Sequence, residues 1–171
     1  MDFPFSLPET FAKWITPEAI SMPDIWQDIH KTELDDFISA RDEFVSEHGE
    51  IKRWGDSLFP ESYSCLHKAN PNMLPMTFRG MQMLHELWKQ NPYVPPLPRT
   101  YATTRLTLLE VMPGAALKAL RLPYKGYKNG VHALQLRKTI LAGLQEQIEL
   151  DTSNVNNLFI DCVTNHDCLD S

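Results

Sequence analysis

The chain has 171 residues, of which 43% are hydrophobic and 22% are charged. This composition is typical of one globular domain and argues against a disordered or fibrous protein. No apolar run approaches the roughly 18 residues that a membrane span needs, and the first residues lack the features of a signal peptide. Its three cysteines (Cys65, Cys162 and Cys168) show no CxxC spacing, which argues against a disulfide framework or structural zinc and favours a cytoplasmic location.

The charges are distributed unevenly along the chain. Lys and Arg number 16 against 22 Asp and Glu, for a formal net charge of −6. Residues 111–145 nevertheless contain six basic side chains and no acidic one. In an acidic protein such a stretch is typical of a phosphate-binding surface. A solvated helical face is the alternative that charge alone leaves open.

The first half of the chain predicts short helices and turns. Prolines at positions 4, 8, 17 and 23 divide the first 25 residues into turns and helix starts. Residues 33–48 predict a helix, because apolar side chains recur on one face and acids on the other. Residues 49–75 predict irregular structure, and residues 77–90 a second amphipathic helix.

The second half includes the only convincing strand. Residues 91–98, which contain four prolines, predict a stiff extended connector. Residues 104–112 are rich in β-compatible side chains and predict a strand that ends at Pro113-Gly114. A short helix over 115–120 and a longer one over 131–148 follow, and residues 155–162 fit helical spacing better than strand alternation.

The sequence predicts an incomplete secondary-structure element at each end of the chain. Residues 2–5 are typical of the exit from a buried strand, yet only Met1 precedes them. Asn165 and His166 predict the start of a helix that has barely one turn left. Because a sheet needs about three strands for independent stability, we expect a single but truncated domain over residues 1–171. Its unpaired sheet edge would favour self-association or a partner chain.

Four carboxylates predict a site for a hard divalent cation. Glu110 ends the predicted strand, Asp2 follows a second strand exit, and Asp167 and Asp170 lie three residues apart at the start of a helix. Acids that converge from different elements bind Mg²⁺ or Mn²⁺, and two such ions promote phosphoryl displacement. Each acid also has an ordinary interpretation: a frayed strand end for Glu110, a solvated terminus for Asp2 and helix-dipole complementarity for the pair.

Two other patterns bear on function. Residues 124–128, with the sequence YKGYK, mix aromatic and basic side chains that could stack a base and bind phosphate, although a turn with a conventional surface is the alternative. The six histidines share no ligand spacing. Ser6, Ser64 and Cys65 lack the context of a nucleophile, and the chain has no glycine-rich phosphate loop.

Ordered motifs along the chain resemble a family of predicted nucleases of the RNase H fold, catalogued as domain of unknown function four hundred and twenty-nine. Residues 2–8 (DFPFSLP) look like its D-x-P-x-x-x-P motif, and residues 109–117 (LEVMPGAAL) are similar to its strand-to-helix signature. Residues 52–56 (KRWGD) and 72–84 resemble the middle segment of the family. Residues 124–128 and the HDCLD of residues 166–170 resemble its later motifs.

The resemblance implies an incomplete RNase H-like α/β fold, with few strands plus several helices, that lacks its opening strands. It implies a metal-dependent nuclease in which Asp2, Glu110, Asp167 and Asp170 bind Mg²⁺ or Mn²⁺ and hydrolyse phosphodiesters. The basic stretch would contact the backbone of a nucleic acid through Lys118, Arg121, Lys125 and Lys128. Whether the chain is an active enzyme is left open, and the alternative is a non-catalytic remnant or an interaction module that pairs with another chain.

Overall fold

The computed structural model describes residues 3–59, 62–95, 97, 106–147 and 158–170. These residues form two compact units that divide between Glu110 and Val111. Among them, no helix is both long enough and apolar enough to cross a lipid bilayer.

The first unit contains five helices in its described residues. They are α1 (Glu9–Ile15), α2 (Met22–His30), α3 (Leu34–His48), α4 (Trp54–Ser57) and α5 (Met73–Trp88). Helix α2 begins with a capping box, in which the Ser21 side chain accepts from the Asp24 backbone N–H while the Asp24 carboxylate accepts from that of Ser21. Pro75 lies in the first turn of α5, where the missing N–H of proline costs little.

The core of the first unit is aromatic. The Phe11 ring lies 5.8 Å from Phe37 and 5.1 Å from Phe44, while Phe37 lies 5.2 Å from Phe78. These rings join α1, α3 and α5 into one buried cluster. Helix α2 packs on α5 through Trp26 and Trp88, whose rings meet edge to face at 5.7 Å.

A close approach fixes the N-terminal segment on α5. Gly80 is buried in the middle of α5, and any Cβ placed there would overlap the ring of Phe3. Space explains the glycine at this position. Backbone conformation does not, because the φ angle of Gly80 is not in the left-handed region. This contact brings the segment that resembles the D-x-P-x-x-x-P motif onto the helix that resembles the family's middle segment.

The second unit contains four helices in its described residues. They are α6 (Pro113–Ala119), α7 (Ala133–Gln147), α8 (Leu158–Thr164) and α9 (His166–Asp170). Leu117, Tyr127 and Ile140 form one small core, and Leu141, Cys162 and Val163 form a second. Pro113 occupies the first turn of α6, where its fixed φ angle suits helix initiation.

The α/β, RNase H-like fold class is wrong for the described residues, which form helices and no sheet. Of the predicted strand, residues 104 and 105 lie outside the described part. In the remainder only Thr107 pairs, in an isolated parallel bridge to Tyr93. Residues with high β-propensity form a ladder only where a second strand supplies partners. Within the described ranges there is likewise no sheet edge to pair with another chain.

Most of the predicted helices are present in the structure, unlike the predicted strand. Helices over 33–48, 115–120 and 131–148 are confirmed as α3, α6 and α7, with boundaries shifted by one or two residues. The helix predicted over 77–90 begins earlier, at Met73. Residues 49–75 are less irregular than predicted, because α4 forms there. The described part of the segment 155–162 is helical, as predicted.

Candidate functional site

Glu110 is held by two donors of the first unit. The Arg53 guanidinium approaches it with Nη1 2.7 Å from Glu110 Oε1, and the backbone N–H of Phe5 donates to Glu110 Oε2 at 3.0 Å. The Glu110 side chain is 32% exposed. Both carboxylate oxygens are therefore engaged by groups of the chain itself.

Arg53 also binds Asp56 in a two-pronged arrangement. Nε donates to Asp56 Oδ2 at 2.8 Å and Nη2 to Oδ1 at 2.7 Å, a geometry that planar guanidinium and carboxylate groups favour. Asp56 is almost fully buried, in the short helix α4. Burial opposes the charged form of Arg53, but Asp56 and Glu110 outweigh that cost and raise the Arg53 pKa above its usual value.

The segment before α1 is fixed by two hydrogen bonds to the backbone of Phe5. The Phe5 N–H donates to Glu110, and the Phe5 carbonyl accepts from the Trp26 indole Nε1 at 2.8 Å. Because Phe5 is buried, these bonds satisfy backbone groups that water cannot reach. Single residues of three segments that carry the resemblance thus meet around Arg53: Phe5, Asp56 and Glu110.

The nearby hydroxyl and thiol groups are not poised as nucleophiles. Cys65 is buried, and burial raises the pKa of its thiol to about 12, so the thiol stays protonated near neutral pH. Ser64 Oγ donates to the Ile51 carbonyl at 2.6 Å and accepts from the Leu66 N–H. Ser64 therefore organises the loop, which agrees with the sequence expectation for both residues.

Asp170 is held by two partners within the second unit. Its Oδ1 accepts from the Tyr127 hydroxyl at 2.8 Å, and its Oδ2 lies 2.6 Å from Lys128 Nζ. The Asp170 side chain is only 6% exposed, whereas that of Asp167, in the same helix, is 79% exposed and pairs with His166. The two acids therefore face different environments, although their spacing predicted a common side.

The loop between α6 and α7 is anchored by Arg137. This side chain is buried; its Nη1 donates to the Tyr127 carbonyl and its Nε to the Val163 carbonyl, each at 2.6 Å. Arg137 was part of the basic stretch predicted to bind phosphate, but its guanidinium is used inside the fold. Together with Asp170, it fixes Tyr127 and Lys128.

The basic residues around Tyr124 face solvent. Lys118 Nζ lies 5.4 Å from the centre of the Tyr124 ring and Lys125 Nζ lies 5.3 Å from it, both within cation–π range. Lys118, Arg121 and Lys125 are exposed. Lys128, the fourth predicted contact, is instead paired with Asp170.

Glu110 and Asp170, two of the predicted metal ligands, each lie beside a cation of the chain. Glu110 is neutralised by Arg53 and Asp170 by Lys128, so Mg²⁺ or Mn²⁺ would lie beside a fixed positive charge. Asp2 lies outside the described residues. Glu110 belongs to the first unit and Asp167 and Asp170 to the second, and their convergence on one ion stays a prediction.

Sequence reasoning missed two groups of polar residues. Arg53 and Asp56 were quoted within a motif but not as site residues; their spacing of three, which suits an ion pair on one helical turn, was the available signal. The second group is His30, His85 and Glu86, whose ligand atoms lie within 4.8 Å of one another. No sequence spacing could reveal it, because the contact of α2 with α5 is tertiary.

No protein-family model matches the chain, and no curated protein and no solved structure matches it. The resemblance to a nuclease family therefore rests on the ordered motifs alone.

Proposed function

We propose that the second unit is a nucleic-acid-binding module that contacts a single strand through Lys118, Arg121, Lys125 and the Tyr124 ring. The observation that carries the proposal is the placement of two exposed ammonium groups within 5.4 Å of one aromatic ring. Cations that bind phosphate beside a ring that stacks a base are the usual elements of single-strand recognition.

The fixed loop supports this function. Arg137 and Asp170 hold Tyr127 and Lys128, which are separated from Lys125 by Gly126 alone. Gly126 adopts a left-handed φ of 75°, which turns the chain between the two Tyr-Lys pairs. A loop that is already ordered loses less conformational entropy when a ligand binds, which favours affinity.

The local charge balance also supports it. Residues 111–145 contain six bases and no acid, and Lys118, Arg121 and Lys125 are exposed within this stretch. Asp170, which lies outside that stretch, is neutralised by Lys128. A local group of exposed bases attracts a polyanion even where the whole chain carries a net charge of −6.

Charge reversal tests the proposal. We expect the double substitution Lys118→Glu with Lys125→Glu to weaken binding of a short labelled single-stranded oligonucleotide by at least about tenfold, measured by fluorescence anisotropy. The matched control is Lys13→Glu with Lys31→Glu, which changes the net charge equally but alters exposed lysines of the first unit. Equal losses in the two double variants would contradict the proposal.

Metal-dependent hydrolysis, the activity that the resemblance implies, stays a prediction. In the described arrangement a metal ion at the Glu110 carboxylate would share its oxygens with Arg53 and the Phe5 N–H. Incubation of the same oligonucleotide with the protein and Mn²⁺ tests this activity. Cleavage that needs Mn²⁺ and is lost in Glu110→Gln would establish hydrolysis, and an intact oligonucleotide would leave binding as the function.

A further inference from the structure

We propose that His30, His85 and Glu86 form a binding site for Zn²⁺ on the first unit, between α2 and α5. This site is separate from the acids of the nuclease resemblance. The ligand atoms of these three side chains all lie within 4.8 Å of one another. His30 Nε2 lies 3.4 Å from Glu86 Oε1, and the two imidazole rings stack with their centres 4.5 Å apart.

One of the three ligand separations already suits a metal ion. Around a tetrahedral zinc ion with bonds near 2.1 Å, two ligand atoms stand about 3.4 Å apart. The His30–Glu86 separation already has this value, whereas the two imidazole rings, inclined by 28°, must rotate before a nitrogen of each points at one ion. Two histidines and one glutamate are a donor set that suits zinc, and they leave a fourth position for water.

The helices that carry the ligands are fixed independently of a metal. Trp26 lies one turn before His30 on α2, and Trp88 lies one turn after His85 on α5; their rings pack edge to face. Trp26 is also anchored by its hydrogen bond to Phe5. The two histidines therefore meet through the same helix pair as the two tryptophans, which fixes the backbone positions of both ligands.

The electrostatics around the site set its affinity. Lys89 Nζ lies 2.8 Å from both Glu86 oxygens and must release the carboxylate when a metal binds. This exposed ion pair is weak, so the competition is modest.

Zinc titration of the whole chain by isothermal calorimetry tests the site. We expect one saturable site, an affinity at least about tenfold lower in His30→Ala and in Glu86→Gln, and an affinity about two- to fivefold higher in Lys89→Ala. The gain in Lys89→Ala also keeps the test decisive if a histidine variant fails to fold.

Two controls separate this site from other zinc ligands of the chain. His132→Ala removes an exposed histidine of the second unit and should leave the affinity unchanged. Cys168→Ser removes one of two thiols whose sulfur atoms lie 3.2 Å apart and which could bind zinc themselves. Absence of saturable binding, or a loss in Cys168→Ser with none in His30→Ala, would overturn the proposal.

Discussion

Arg53 binds Glu110 with Nη1 2.7 Å from Oε1, and through this contact the segment that follows α3 is joined to the segment that precedes α6. The same guanidinium holds the buried Asp56, and Glu110 in turn accepts from the Phe5 backbone. The acid that the sequence singled out as a metal ligand is therefore part of an ion-pair network in this structure.

Loss of Arg53 should destabilise the first unit strongly. The Arg53→Met variant leaves Asp56 buried without its cation and Glu110 without its main partner, so we expect a loss of about 3–5 kcal/mol in the free energy of unfolding. Urea denaturation followed by tryptophan fluorescence measures it. The control Arg79→Met removes an exposed arginine and should cost less than about 1 kcal/mol. Similar costs for the two variants would contradict the network.

A methyl group at Gly80 should disturb the packing of Phe3. We expect Gly80→Ala to destabilise the protein by about 1–3 kcal/mol, because the overlap with the ring outweighs the higher helix propensity of alanine. The matched control is Gly55→Ala, where nothing lies within 4 Å of the added Cβ. Thermal unfolding by circular dichroism compares them, and a Gly80→Ala variant as stable as Gly55→Ala would show that Phe3 does not pack there.

Arg137 should be essential for the second unit rather than for phosphate binding. Arg137→Met leaves the Tyr127 and Val163 carbonyls without their charged donor, for an expected loss of about 3 kcal/mol in stability. Lys138→Met, which removes the adjacent exposed charge, should change stability by less than about 0.5 kcal/mol. Chemical denaturation separates the two, and an Arg137→Met variant of unchanged stability would refute the anchoring role.

Glu50 should contribute an acid-sensitive part of the stability. Its Oε2 lies 2.6 Å from His67 Nδ1 and its Oε1 accepts from the Lys68 N–H; together these partners lower the Glu50 pKa below 4.5. Since the folded-state pKa lies below the unfolded value, the stabilisation is present above about pH 4.5 and is lost as the pH falls through the folded-state pKa. The stability difference between wild type and Glu50→Gln, measured against pH, should therefore shrink on acidification. A constant difference would contradict it.

Local patterns predicted the helices because amphipathic periodicity can be recognised within one segment of the sequence. The apolar face of residues 33–48 became the face of α3 that carries Phe37 and Phe44. The strand prediction was wrong because a strand also needs a partner segment. Residues 106–112 have suitable side chains, but Tyr93 supplies one bridge partner and no ladder. Strand formation depends on a second segment that a local pattern does not identify.

The same distinction applies to the candidate site. The sequence identified Glu110 and Asp170 as notable acids, and both are engaged with polar partners in the structure. It could not show that Arg53 and Lys128 are those partners, because the contacts join segments far apart in the chain. The cation beside each acid forms an ion pair with it, and metal binding by either acid stays a prediction.

The salt dependence of oligonucleotide binding tests the central claim, that exposed bases around Tyr124 contact phosphates, most directly. For single strands, the logarithm of affinity falls with the logarithm of salt concentration at a slope of about −0.7 for each phosphate neutralised. The account predicts that Lys118→Gln with Lys125→Gln makes this slope shallower by about 1.4, while Lys13→Gln with Lys31→Gln leaves it unchanged. An identical slope in wild type and the Lys118/Lys125 variant would contradict the account.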